Sequence, residues 1–178
     1  MKSIEKPNSV DPELYFSPFL SIAKGVDLIE SLIISKNEVI DLVDALDNSM
    51  SDHRYEEGKW TIKQVLKHIC DSERVHSYRA LRFSKNDKTD LPGYDENEYA
   101  KLDNTDNLSL EQIKDEFIAV RNSTIQLFMS LNPESFDYLG KGNKQELTPR
   151  IIGWKISGHS SHHCKIIKEK YLQLKHDA

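Results

Sequence analysis

The chain has 178 residues, enough for one domain with a buried core, and its seven glycines and six prolines are too few for a turn-rich β-sandwich or barrel. A net charge of −5 argues against a general nucleic-acid binder, and no apolar run reaches the about 18 residues needed to cross a membrane. Two cysteines form neither a disulfide framework nor a zinc ribbon, and the first residues lack the apolar stretch of a secretory signal. We therefore expect a cytoplasmic protein that binds neither nucleic acid nor membranes.

Helical periodicity begins after an N-terminal segment. Residues 1–20 carry an apolar cluster and are expected to pack along a bundle domain that spans residues 21–175. From about Ser21 to Asp47, apolar residues recur at helical spacing and predict a first long helix. The cluster of the N-terminal segment consists of Leu14, Tyr15, Phe16, Phe19 and Leu20.

Two capping boxes predict where the next long helices begin. Thr61 precedes Gln64 by three residues at the start of a second helix, and Ser109 precedes Gln112 in the same way at the start of a third. Between these helices, residues 86–108 form a connection whose length is typical of functional crossovers or mobile segments.

A fourth helix is predicted to begin at Thr148, an N-cap residue followed by Pro149 at the first helical position, and to run to about Leu174. The polar loop before it, residues 137–147, has room for a short strand pair around Tyr138. Four long helices without a competing strand pattern predict an all-α fold, namely a four-helix bundle with a long crossover between helices 2 and 3.

Histidine is the unusual residue of this composition: there are seven, and three lie within residues 159–163. At about 100° per residue, His159 and His163 point along the centre of the apolar stripe of the fourth helix, one turn apart, while His162 lies at its side. Inward side chains on facing helices build the metal sites of bundles, so the pair predicts metal ligands. The alternative is that buried hydrogen bonds satisfy each ring, or that the stripe opens onto solvent.

A third ligand should come from the second helix, where spacing leaves the choice open. Measured from the apolar turn of that helix, His76 is closer to the centre of the stripe than His68. Glu73 also points inward and is a candidate base, with an ion pair to an arginine such as Arg74, Arg79 or Arg121 as the alternative. Asp71 is a candidate for orienting His68, one turn away.

Three stretches resemble the signature of the DinB/YfiT-like superfamily, over about residues 20–175. They are Gly58-Lys59-Trp60-Thr61-Ile62-x-Gln64-Val65-x-x-His68-Ile69-x-Asp71-Ser72 followed by Arg79, then Pro92-Gly93-Tyr94-Asp95-Glu96, and Gly158-His159-Ser160-Ser161-His162-His163.

The resemblance implies that one divalent ion is held by His68, His159 and His163, and it therefore selects His68 where the angular argument favours His76. Zinc is the expected ion for neutral imidazoles, with nickel, iron and manganese as alternatives. The motif residues further suggest a catalytic role for Glu73. They also suggest a substrate- or thiol-binding role for four side chains, Arg79, Trp60, Asp71 and His162.

Proteins similar to this one include transferases that use thiols such as bacillithiol or mycothiol. The resemblance thus predicts a metal-dependent enzyme that transfers a low-molecular-weight thiol such as bacillithiol onto an electrophilic small molecule, because a metal with an open position makes a bound thiol into a thiolate. One alternative is a hydrolase that activates water at the same position. The other is a non-enzymatic bundle that binds a ligand or partner. Bundles of this kind often pair, so a homodimer is also considered.

Overall fold

The computed structural model describes residues 3–7 and 16–172, which contain six α-helices and a small sheet. The helices are α1 (Ser17–Ile22), α2 (Leu28–Asp44), α3 (Ile62–Ser84), α4 (Glu96–Leu102), α5 (Leu110–Met129) and α6 (Pro149–Ile166), and α6 continues into a π-helical segment (Ile167–Tyr171). Short 3-10 helices cover Asn48–Met50, Thr105–Asn107 and Pro133–Asp137. The strands are β1 (Asp90–Leu91), β2 (Gly140–Gly142) and β3 (Gln145–Leu147).

The long helices α2, α3, α5 and α6 form a four-helix bundle, which confirms the predicted fold class. Neighbouring helices around the bundle are α2 and α6, α6 and α3, α3 and α5, and α5 and α2. The long connection that contains β1 and α4 therefore joins two neighbouring helices, α3 and α5. Among the described helices, none has both the length and the apolar character needed to cross a membrane.

Side-chain caps set the helix starts where local sequence predicted them. Thr61 and Ser109 each form a complete capping box, and Thr148 caps α6 by accepting a hydrogen bond from the backbone N–H of Ile151. The first long helix begins later than predicted, at Leu28 rather than about Ser21, because Gly25 has a left-handed φ of 87° that breaks the helical path.

The described part of the N-terminal segment packs on the bundle. Ile4, Phe16, Phe19 and Leu20 are buried and share one apolar cluster with residues of α2, α3, α5 and α6. Leu14 and Tyr15, which belong to the cluster expected from the sequence, lie outside the described residues, as does the predicted end of the last helix at Leu174.

The small sheet joins the 86–108 crossover to the loop before α6. Strand β1 pairs parallel with β2, and β2 pairs antiparallel with β3. The hairpin between β2 and β3 turns at Asn143 and Lys144, whose φ angles of 51° and 64° are those of a two-residue type I′ turn. The predicted strand pair is thus present, and the sheet places both loops beside the C-terminal half of α3, where Gly140 lies against Phe83.

A buried polar layer divides the interior of the bundle. Each long helix contributes one residue to it: Ser35 from α2, Glu73 from α3, Arg121 from α5 and Ser160 from α6. On every helix these residues separate members of two apolar clusters. One cluster includes Phe19, Leu32, Phe83, Phe128 and Ile156, and the other includes Val39, Ile69, Phe117, Cys164 and Ile167.

Candidate metal centre

Three imidazole rings converge where α3 packs against α6. Nε2 of His159 lies 3.1 Å from Nε2 of His68 and 3.0 Å from Nε2 of His163. Each histidine offers one nitrogen to a common point, and these three atoms all lie within 4.8 Å of one another. The two helix neighbours predicted from spacing, His159 and His163, therefore meet the residue that the resemblance selected, His68.

The spacing and the chemistry of these nitrogens fit a metal ion. Two nitrogens bound about 2.0–2.1 Å from one ion lie about 2.8–3.4 Å apart in octahedral or tetrahedral geometry, and the pairs at 3.0 and 3.1 Å fall in that range. A neutral Nε2 carries either one proton or one lone pair, so Nε2 of His159 cannot make a full hydrogen bond to both neighbours. A cation, by contrast, accepts all three lone pairs.

The environment keeps the three rings in the form that ligates a metal. Burial lowers the pKa of His68 to about 4 and holds the pKa values of His159 and His163 well below their usual 6.5, and the mutual repulsion of the rings lowers those two further. All three are therefore neutral at pH 7, with lone pairs free for coordination.

Aromatic side chains support the rings from two sides. The Trp60 ring lies 4.9 Å from that of His68 between centroids, and Phe19 makes edge contacts with His159 and His162 at 5.3 and 5.2 Å. Trp60 and His162, predicted from the motif to bind substrate or thiol, are thus placed beside the cluster. Trp60 itself is held by the Tyr171 hydroxyl, which donates to its backbone carbonyl at 2.8 Å.

A cavity of about 90 Å³ adjoins the cluster. His68 and His159 line it together with Arg79 and Lys155, and Tyr94 comes from the crossover before α4. Arg79, predicted to bind substrate or thiol, is therefore in the pocket. Sequence reasoning did not single out Lys155, although its place four residues before His159 puts it on the same face of α6.

His76 lines the same cavity but is not part of the cluster, and it has hydrogen-bond partners of its own. Its Nδ1 donates to the carbonyl of Ser72 at 2.7 Å, and its Nε2 is within hydrogen-bonding distance of the Lys155 amine. His76 is more deeply buried than His68, as its place nearer the centre of the apolar stripe predicts. The imidazoles nevertheless converge at His68, on the flank of that stripe, so depth in the core did not identify the third member of the cluster.

Two other predicted residues have their charges engaged elsewhere. Both carboxylate oxygens of Glu73 accept hydrogen bonds from Arg121, each at 2.8 Å, which is the ion-pair alternative for this side chain. Asp71 contacts Lys67 and Arg74 on the outer surface of α3 rather than His68. The catalytic role of Glu73 and the binding role of Asp71 stay predictions, and the geometry favours structural roles.

Comparison with known proteins identifies the family of this chain. The family model of the DinB superfamily matches residues 32–167. The chain belongs to the DinB superfamily. Two relatives from Oceanobacillus iheyensis are each named "Putative metal-dependent hydrolase". One is 28% identical over 156 residues, covering 84% of this chain and 87% of the relative, and the other is 25% identical over 135 residues, covering 74% and 76%.

A solved structure shares the fold of this DinB-superfamily chain. YfiT from Bacillus subtilis, described as "a probable metal-dependent hydrolase with an unusual four-helix bundle topology", superposes with a TM-score of 0.70 at 19% identity, covering 95% of this chain and 92% of YfiT. Together, the named relatives and the three-histidine cluster support a metal-dependent enzyme.

Proposed function

We propose that His68, His159 and His163 hold one divalent metal ion through Nε2, and that the adjoining pocket transfers a low-molecular-weight thiol onto an electrophilic small molecule. The observation that carries this proposal is the convergence of three neutral imidazoles, two of which, His68 and His159, line the adjoining cavity. Zinc is the expected ion, with nickel, iron and manganese as alternatives. An ion there supplies an open position that lowers the pKa of a thiol or of water.

The charges around the cavity favour thiol transfer over hydrolysis. Arg79 and Lys155 are basic, and among the described residues that line the cavity Glu96 is the sole acid and is only half-buried. Hydrolysis generally relies on a base that takes a proton from water, whereas a thiolate is already a nucleophile. Glu73, the candidate base, has both oxygens bound to Arg121.

The thiol in this proposal comes from a small molecule such as bacillithiol. Cys70 and Cys164 are free but buried, and burial raises both thiol pKa values, that of Cys164 to about 12. Neither side chain therefore provides a thiolate at neutral pH. Arg79, in the cavity wall, is placed to bind an acidic group of the thiol or of the acceptor.

Hydrolysis on the same residues is the second candidate, and the names of the two Oceanobacillus relatives favour it. The two activities differ in one requirement. A transferase forms product from an electrophile such as 1-chloro-2,4-dinitrobenzene only when a thiol is added, with the sulfur bonding to the ring carbon, chloride leaving with its electron pair and the thiol proton passing to solvent. A hydrolase turns over its substrate without a thiol.

Metal content tests the common basis of both candidates. We expect about one metal ion per wild-type chain by elemental analysis and little or none in His159→Ala. His162→Ala is the matched control, because it removes a neighbouring imidazole from the same helix without removing a proposed ligand. A folded wild-type protein that takes up no zinc, nickel, iron or manganese would overturn the proposal.

A further inference from the structure

Two basic side chains line the same cavity, and neither forms an ion pair with Glu96, the one acid among its described lining residues. Lys155 is 8% exposed and Arg79 is 5% exposed, and both line the cavity next to His159. Among the described residues, neither comes within 4 Å of a carboxylate oxygen. A buried positive charge is costly unless an anion or several hydrogen bonds compensate it.

A hydrogen bond to His76 positions the Lys155 amine. Nδ1 of His76 must carry the proton because the Ser72 carbonyl, 2.7 Å away, can only accept. Nε2 therefore presents a lone pair, and Lys155 donates one N–H to it. The other hydrogens of the amine remain for a ligand in the cavity. Burial and the nearby charge of Arg79 together lower the pKa of Lys155 to about 7, although the carboxylate of Glu96 acts in the opposite direction.

The guanidinium of Arg79 also has donors to spare. Its Nη2 donates to the carbonyl of Pro92 at 2.7 Å, which fixes the group against the crossover. Gly142 on β2 leaves room for it, since a Cβ there would lie only 3.2 Å from Cδ and Nε of Arg79. A planar guanidinium with free N–H groups is well suited to carboxylate and phosphate oxygens.

We propose that Lys155 and Arg79 form a subsite for an oxyanionic group, carboxylate or phosphate, of the small molecule whose reacting end lies at the three-histidine cluster. The inference rests on the proposed function for where the reacting end lies, but the subsite itself needs no metal. The cavity of about 90 Å³ admits a compact group. The substrate class is accordingly a small molecule with one anionic arm. His76 is a positioning residue that acts through Lys155.

Anion binding to metal-free protein tests the subsite directly. The full chain, stripped with chelator, is titrated at constant ionic strength with malonate, with inorganic phosphate and with malonamide, the uncharged analogue of malonate, and amide chemical shifts are followed by NMR. We expect saturable binding of at least one anion and none of malonamide. The tighter of the two anions identifies the oxyanion. Equal binding of malonate and malonamide, or no saturable binding of either anion, would overturn the subsite.

Single substitutions test whether the anion binds at Lys155. Lys155→Gln keeps a partner for His76 and should weaken anion binding about tenfold or more, as expected for loss of one charge-assisted hydrogen bond. Lys155→Arg should restore much of it, which also guards against a folding defect. Lys141→Gln, an exposed base on β2, is the control and should bind as wild type does. Equal weakening by Lys155→Gln and Lys141→Gln would point to general electrostatics and reject the subsite.

Metal content of the same proteins separates the two proposals. Lys155→Gln should carry as much metal as wild type, whereas His159→Ala should lose metal and still bind the anion. A wild-type protein that binds the anion but no metal leaves the subsite standing and removes the metal-dependent function. A wild-type protein that binds metal but no anion rejects the subsite and leaves the metal-dependent function standing.

Discussion

Glu73 and Arg121 form a bidentate ion pair inside the bundle, with Nε and Nη2 of Arg121 donating to the two carboxylate oxygens, each at 2.8 Å. The other N–H groups of Arg121 donate to the Leu32 carbonyl, to Ser35 Oγ and to Ser160 Oγ, at 2.6 to 2.8 Å. All five guanidinium donors are thus used, and all four long helices meet at one side chain.

Breaking this pair should destabilise the fold strongly. Arg121→Met leaves the Glu73 carboxylate buried without its partner, and we expect the free energy of unfolding to fall by about 3–5 kcal/mol. Urea unfolding followed by circular dichroism measures it. The control is Arg74→Met, which removes a half-exposed partner of Glu116 and should cost about 1 kcal/mol or less. Equal losses in the two variants would show that the buried pair contributes no more to the free energy of unfolding than the exposed one.

The same residues show what sequence could and could not predict. The helix starts at Thr61, Ser109 and Thr148 depend on neighbours three residues away, so local pattern was sufficient. The pairing of His159 with His163 likewise lies within one helix. By contrast, the partner of Glu73 is 48 residues away, and only packing of α3 against α5 reveals that it is Arg121.

The choice between His68 and His76 depends on how α3 is rotated against α6, which helical angles do not fix. Metal content checks that choice. His68→Ala should abolish metal binding, whereas His76→Ala should retain it, because His76 is bonded to Ser72 and Lys155 instead. Elemental analysis after gel filtration gives the result. Loss of metal only in the His76 variant would mean that the three-histidine assignment is wrong.

Gly158 allows the chain before α2 to approach the metal centre closely. A Cβ at this position would lie 1.8 Å from the backbone oxygen of Phe19, whose ring touches His159. Glycine to alanine inside a helix usually gains about 0.5–1 kcal/mol. Here we expect Gly158→Ala to lower the free energy of unfolding by about 1–3 kcal/mol instead, because the backbone at Phe19 must move to make room for the added Cβ.

Gly153→Ala is the matched variant on the same helix. The added Cβ there would meet mainly methyl groups of Leu28, at 2.6 and 2.9 Å, which can rotate away more easily than backbone can move. Denaturant unfolding of both variants should show the larger loss for Gly158→Ala. If the alanine at 158 stabilises the protein, the close approach of Phe19 is not a constraint.

The buried histidines should make the metal-free protein less stable as the pH falls, because they accept protons more readily when the chain is unfolded. His68 has a folded pKa of about 4 against 6.5 when unfolded, so below pH 6.5 the unfolded chain binds more protons and stability falls with falling pH until about pH 4. Each such histidine contributes a slope of about 1.4 kcal/mol per pH unit in this window. Urea unfolding of chelator-treated protein between pH 7 and 5 measures the slope. His68→Gln should make it shallower, and an unchanged slope would contradict the neutral buried ring.

The two cysteines should be inert while the protein is folded. Cys70 is fully buried and Cys164 nearly so, and burial raises both thiol pKa values, that of Cys164 to about 12. At pH 8 only a minute fraction of either is thiolate, so a disulfide reagent should modify neither until denaturant is added, when two thiols per chain should react. Fast labelling of the native protein would contradict this burial. It would also reopen the possibility that a protein thiol, rather than a small-molecule thiol, serves the reaction proposed for the pocket.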